Sequence, residues 1–180
     1  MKAEQEIILT KWVGLDGTVR IVREREEELK KRFAEGFLRQ VKSCEKELRY
    51  RQESGMAENI DISYIGEAGE GGIFAALWYL AKELRTGFTV DLKRIPVRQE
   101  TIEICEYYRL NPYQLASKGC FLITAGGGEV LAEVLRGQAV HAEVIGHLTN
   151  TNDKILKNGD DIRYLDRPAP DEIYKICTVF

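Results

Sequence analysis

Between residues 66 and 73 the chain reads Gly66-Glu67-Ala68-Gly69-Glu70-Gly71-Gly72-Ile73, a glycine-dense turn that opens directly onto an apolar helical stripe. Ahead of it, Ile60-Asp61-Ile62-Ser63-Tyr64-Ile65 alternates as a strand does, with the isoleucines on one face. Behind it, Ile73, Leu77, Leu80 and Leu84 recur at helical spacing, Phe74, Trp78 and Ala81 widen the stripe, and Gly87 is expected to stop the helix in a left-handed conformation. Glycines let the backbone adopt positive φ and approach a ligand, while the following helix aims unpaired N–H groups and its positive dipole end at the turn. The junction is therefore a candidate anion site. Glu67 and Glu70 would repel a bare phosphate, yet they can hold a hydrated Mg²⁺ that bridges to one. The competing reading is a tight connection with an acidic helix start and no ligand.

With 180 residues, of which 44% are hydrophobic, the chain suits one domain with a real core. A formal charge of −3 leaves no basic excess for a phosphate backbone, which argues against nucleic acid. Apolar runs are short and no signal-like segment opens the chain, so a soluble, cytoplasmic protein off the membrane is expected. Cys44, Cys105, Cys120 and Cys177 are scattered without a C-x-x-C pair, the pattern of reduced, half-buried thiols. His141 and His147 have no cysteine nearby, and packing suits them better than ligation.

The remaining segments read as alternating strands and helices. Ile7-Ile8-Leu9 is an opening strand, with Asp16 or Thr18 as the N-cap of a charged helix reaching about Phe33. Its pairs Glu26–Lys30, Glu27–Lys31 and Glu28–Arg32 stand at i,i+4 with the acid first, and a second helix over 36–50 completes a hairpin. Phe88, Val90 and Leu92 alternate as a strand, a short helix follows Ile95-Pro96-Val97, and Asn111-Pro112 caps another. Cys120-Phe121-Leu122-Ile123-Thr124 is apolar throughout and is expected at the sheet centre, covered on both faces. Gly126-Gly127-Gly128 lacks the Gly-Lys-Ser/Thr of a phosphate loop and reads as a flexible connection before a helix over 129–136. Val140, Ala142 and Val144 mark a further strand, and Asn158-Gly159 predicts a type I′ hairpin between 155–156 and 162–165. A tail with Pro168 and Pro170 leads to a last segment from Ile173.

Three stretches carry a resemblance: Glu70-Gly71-Gly72-Ile73 with Ala76-Leu77, Ile95-Pro96-Val97-Arg98-Gln99-Glu100-Thr101, and Asn111-Pro112-Tyr113-Gln114-Leu115 followed by Ser117-Lys118-Gly119. With the opening Ile8-Leu9-Thr10-Lys11-Trp12-Val13-Gly14, they resemble the C-terminal domain of the aminoimidazole ribonucleotide (AIR) synthase-related superfamily, nearest its hydrogenase expression/formation protein E branch. The resemblance implies an α+β fold, a layered α/β/α-type domain with a mixed sheet flanked by helices, spanning 1–180 with 1–18 as opening strand and turn. Members are typically dimeric two-domain enzymes that use ATP, with most of the nucleotide site in the N-terminal domain. That domain is expected to be absent here, so catalysis by this chain alone is not expected.

The implied ligand-binding set is Glu67, Gly69, Glu70, Gly71, Gly72 and Arg98, with Glu67 and Glu70 as weak metal candidates. The domain is expected to act as a dimer or with a partner; Mg with ATP or another phosphorylated ligand would enter only a complex completed by a separate ATP-binding-domain protein, and a further alternative is an interaction or scaffold module without a ligand. Relatives place His-Asp and a Ser or Thr ahead of the acidic-Gly-Gly step, where this chain has Gly66-Glu67 and Gly69. Glu67 in the role of the Asp moves its carboxylate by about one C–C bond, enough to alter catalytic geometry. Hydrogenase-maturation relatives end in a cysteine that carries the group being converted to a nitrile; Cys177 is similar but has Thr178-Val179-Phe180 after it. For Arg98 the alternatives are a ligand carboxylate or phosphate, an ion pair with Glu100 or Glu103, or a solvent-facing position.

Overall fold

The computed structural model describes residues 4–49 and 59–177. Seven strands, β1 (Gln5–Thr10), β2 (Ile62–Glu67), β3 (Gly87–Asp91), β4 (Phe121–Gly126), β5 (Ala142–Thr149), β6 (Lys154–Asn158) and β7 (Asp161–Tyr164), form one sheet in the order β2-β4-β1-β5-β3-β6-β7. The β3–β6 pair is parallel and every other neighbour is antiparallel, so the sheet is mixed. Alternation along a strand sends successive side chains to opposite faces. In β1, Ile7 and Leu9 enter one core while Ile8 enters another.

Helix α4 (Gly72–Leu84) lies over the first face, where Ile73, Leu77 and Leu80 join Phe88, Val90, Leu122, Ile145 and Leu156. On the opposite face α6 (Gly128–Gly137) buries Leu131, Ala132 and Leu135 with Ile8, Ile123 and Val144. A third core joins α1 (Leu15–Glu24), α3 (Glu35–Ser43) and α5 (Gln99–Tyr108) through Leu15, Ile21, Val41, Ile104 and Leu115. This is the expected layered α+β arrangement.

Several local expectations give way to tertiary contacts. The charged helix is broken: α1 stops at Glu24 and a single turn, α2 (Glu26–Leu29), follows Arg25. Between Val22 and Leu29 nothing is buried to anchor the run, and Arg25 turns to the Ile176 carbonyl at 2.7 Å. Glu26 and Glu27 instead pair with Lys42 and Lys30. Neither Asp16 nor Thr18 caps α1; Gly14 does, its N–H donating to Ser117 Oγ at 2.8 Å and its carbonyl accepting from the Thr18 hydroxyl.

Strand β2 starts two residues later than its alternation suggests, and its register shifts between Ile62 and Tyr64. Ile60 and Ile62 pack on the α6 side, Tyr64 crosses to the α4 side, and Ile65 is left 49% exposed. Strand β4 is covered on both faces as expected but lies second from the edge; β5 holds the centre. Arg85, at φ 52°, rather than Gly87, makes the left-handed end of α4. At Gly87 the demand is space, because a Cβ there would stand 2.3 Å from the Asp153 carbonyl. The triple glycine is a tight strand-to-helix turn in which Gly127 is left-handed and a Cβ on Gly128 would strike Glu6. The Asn158-Gly159 hairpin forms, but Asn158 pairs with Asp161 and only Gly159 has positive φ, the type II′ pattern in place of I′.

Candidate functional site

The glycine turn lies where β2 hands the chain to α4. Gly71 is left-handed at φ 81° and Gly72 follows at φ 67°. A Cβ on Gly72 would come within 2.5 Å of the Tyr113 carbonyl and 2.8 Å of that of Leu115, so the turn packs directly on the 3₁₀ turn Pro112–Gln114. Asn111 caps that turn, its side chain accepting from the Tyr113 N–H at 3.0 Å. The Gly69 carbonyl accepts from Ser117 and Gly72, and Ala68 donates to Cys120. Backbone geometry thus explains Gly71 and Gly72 without a ligand.

A carboxylate already occupies the anion position. Asp171, 2% exposed, accepts from Gly71 N–H at 2.7 Å, from Ala116 N–H at 3.1 Å and from Ile173 N–H at 2.9 Å. It does what a bound anion does at a helix N-terminus, satisfying an orphan donor with charge. Next to it Glu172 accepts from Asn111 N–H and pairs with Lys175, and Tyr174 donates its hydroxyl to Glu70. Glu67 accepts from Gly119 N–H at 2.9 Å.

The shallow concavity at this place measures about 220 Å³ and is lined by the carboxylates of Asp16, Glu67, Glu70 and Asp171 and the cations of Arg20 and Lys118. Four acids against two bases leave it negative. Burial pushes the Asp16 carboxyl up, while Arg20 and Lys118 oppose the shift. The Gly71 amide is given to Asp171, whereas among the described residues Glu67 and Glu70 each accept a single hydrogen bond through Oε1 and keep further carboxylate lone pairs. Among the described residues no three of His, Cys, Asp and Glu are grouped to hold a metal ion.

Glu67, Gly69, Glu70, Gly71 and Gly72 thus come together, while Arg98 sits elsewhere, at the N-cap of α5. Its guanidinium reaches Glu47 at 2.8 and 2.9 Å and Glu100 at 3.1 and 3.2 Å, and lies over the Trp12 ring at 5.3 Å. The Glu100 partner is one of the alternatives the sequence left open. Arg98 in turn holds the Glu100 carboxyl below its ordinary range. Asp171 escaped sequence reasoning. Its one local signal is an Asp following Pro170 just ahead of a helical turn, which reads as an N-cap and does cap Ile173. Cys177 is 3% exposed, and its thiol is pushed up to about 11, first by burial and then by Glu24. A thiol held protonated is a poor nucleophile at neutral pH.

A mixed sheet with helices on both faces, and a glycine turn feeding a buried helix, define a layered α+β domain. The family described as AIR synthase related protein, C-terminal domain, matches residues 2–157, and the chain belongs to it. The carbamoyl dehydratase HypE of Rhizobium leguminosarum bv. viciae is 25% identical over 123 residues, which are 64% of this chain and 35% of that protein. The solved structure of E. coli HypE, a hydrogenase maturation protein, superposes with a TM-score of 0.73 at 16% identity over 98% of this chain and 54% of that one. A HypE–HypF complex gives 0.67 at 19%, over 93% and 54%. At such identities the solved structures show the fold alone. The chain spans about a third of the curated relative and about half of the solved chains.

Proposed function

We propose that this domain does not turn over ATP by itself and works as a dimer or within a larger assembly, where a separate ATP-binding polypeptide supplies the nucleotide site that its own turn lacks. The observation that carries the reading is the Asp171 carboxylate on the Gly71 amide. A phosphate seeking that helix N-terminus would have to displace a buried anion that accepts three N–H groups, and would meet a negative rim. A small anionic or nucleotide-like ligand then binds only where assembly moves the 166–177 tail off the turn.

One observation favours a more specific version, a subunit of a split ATP-dependent enzyme of hydrogenase-maturation or phosphoryl-transfer type. HypE, which shares the fold, is solved in complex with HypF, so a protein with this domain docks on a separate polypeptide. In that version Glu67, Glu70 and Arg98 face the partner's nucleotide, and Arg98 leaves Glu47 and Glu100. The test is phosphate release from Mg·ATP by the purified chain. The expected rate equals that of buffer; Mg-dependent release that disappears in Glu70→Ala overturns the proposal.

A further inference from the structure

Strand β7 ends the sheet, and its four residues, Asp161, Ile162, Arg163 and Tyr164, are all exposed, Ile162 by 61% and Tyr164 by 65%. An open edge of this kind invites another strand unless charge or proline guards it. The hydrogen-bond phase is settled by the hairpin. Asn158 and Asp161 flank its two-residue loop, and Leu165 N–H donates to the Lys154 carbonyl at 2.8 Å, so residues 161, 163 and 165 bond inward to β6. Ile162 and Tyr164 therefore direct their N–H and C=O groups outward.

We propose that β7 pairs antiparallel with β7 of a second copy of this chain, about a two-fold axis through Ile162. In that register Ile162 faces Ile162 of the second copy with the outward groups in phase, and Asp161 of each copy faces Arg163 of the other. Two cross-strand ion pairs result, formed by side chains that have no ion-pair partner of their own among the described residues. Moving the axis to Arg163 sets two guanidinium groups against each other. The charges thus favour a complementary partner over most foreign strands and the Ile162 axis over the Arg163 one. The pairing is isologous and closes as a dimer. Pro168, which has no N–H, lies just beyond and helps end the ladder. Four residues a side bury well under the roughly 1,200 Å² of a tight interface, so association is weak and concentration-dependent. This inference goes beyond the proposed function and holds whether or not the glycine turn admits a ligand.

Sedimentation velocity from about 10 μM to about 1 mM, a span that covers weak self-association, tests it. The wild type is expected to dimerise toward the upper end. Asp161→Arg and Arg163→Asp, both exposed positions whose folding a circular-dichroism melt checks, are each expected to weaken association at least about tenfold. An equimolar mixture of the two variants is expected to restore it, because every cross-strand pair is again of opposite sign. A wild type monomeric throughout, an Asp161→Arg variant that dimerises like the wild type, or a mixture that stays monomeric each overturns the proposal. The wild-type series alone retains that power if a variant fails to fold.

Discussion

Asp171 joins a tail to a turn 100 residues away in sequence, and its removal leaves the Gly71 and Ala116 N–H groups buried without an acceptor. Charged hydrogen bonds and stranded donors of this kind cost about 3 kcal/mol together, so Asp171→Ala should lower the urea-unfolding free energy by about that amount. Asp171→Asn keeps an acceptor oxygen and should lose less. Glu100 gives the pH signature. Because Arg98 holds its folded-state carboxyl below the ordinary value of 4.5, the pair's stabilisation is complete above that value and is lost as pH falls through the lowered one. Glu100→Gln should flatten that part of an acid-unfolding curve. The buried thiols make a third case, with Cys105 and Cys120 pushed up to about 12 by burial and Cys177 to about 11. Ellman's reagent at pH 8 should find no fast-reacting thiol until denaturant is added. What was legible at this scale was residue type, the glycines and carboxylates of the turn; the seat of Asp171 on the Gly71 amide was not, because no local pattern links the two.

At the scale of elements, periodicity gave the helices and strands their places because each buries one face or two. Helix α4 is the clearest, with Ile73, Leu77 and Leu80 fully buried at the spacing read from the chain. Turn chemistry and register were less legible, since both answer to neighbours distant in sequence. The bulge that sends Tyr64 to the α4 side depends on pairing with β4, and α4 ends on a left-handed Arg85 while Gly87 serves close passage past Asp153. The turn itself offers a paired test. Gly72→Ala places a Cβ against two carbonyls at positive φ and should destabilise by about 3 kcal/mol. Gly69→Ala meets nothing within 4 Å and should change stability by less than about 0.5 kcal/mol. Thermal melts of the two variants side by side separate a packing role for the turn from a general need for flexibility.

For the whole molecule, two-faced strands and a helix for each face made the layered class legible, and the three quoted stretches carried the family. Strand order was not legible, because an apolar run such as 120–124 reports coverage on both faces and not distance from the edge. The same holds for the tail. Its sequence shows prolines and an N-cap, whereas its role as the plug of the glycine turn arises only once β7 returns it to α4. Closure of that turn by Asp171 is tested most directly by titrating isotope-labelled chain with Mg·ATP and following the Gly71 amide. The predicted result is an amide that does not move at concentrations where nucleotide enzymes saturate. A saturable shift of Gly71 in the wild type, with Asp171 displaced, would contradict it.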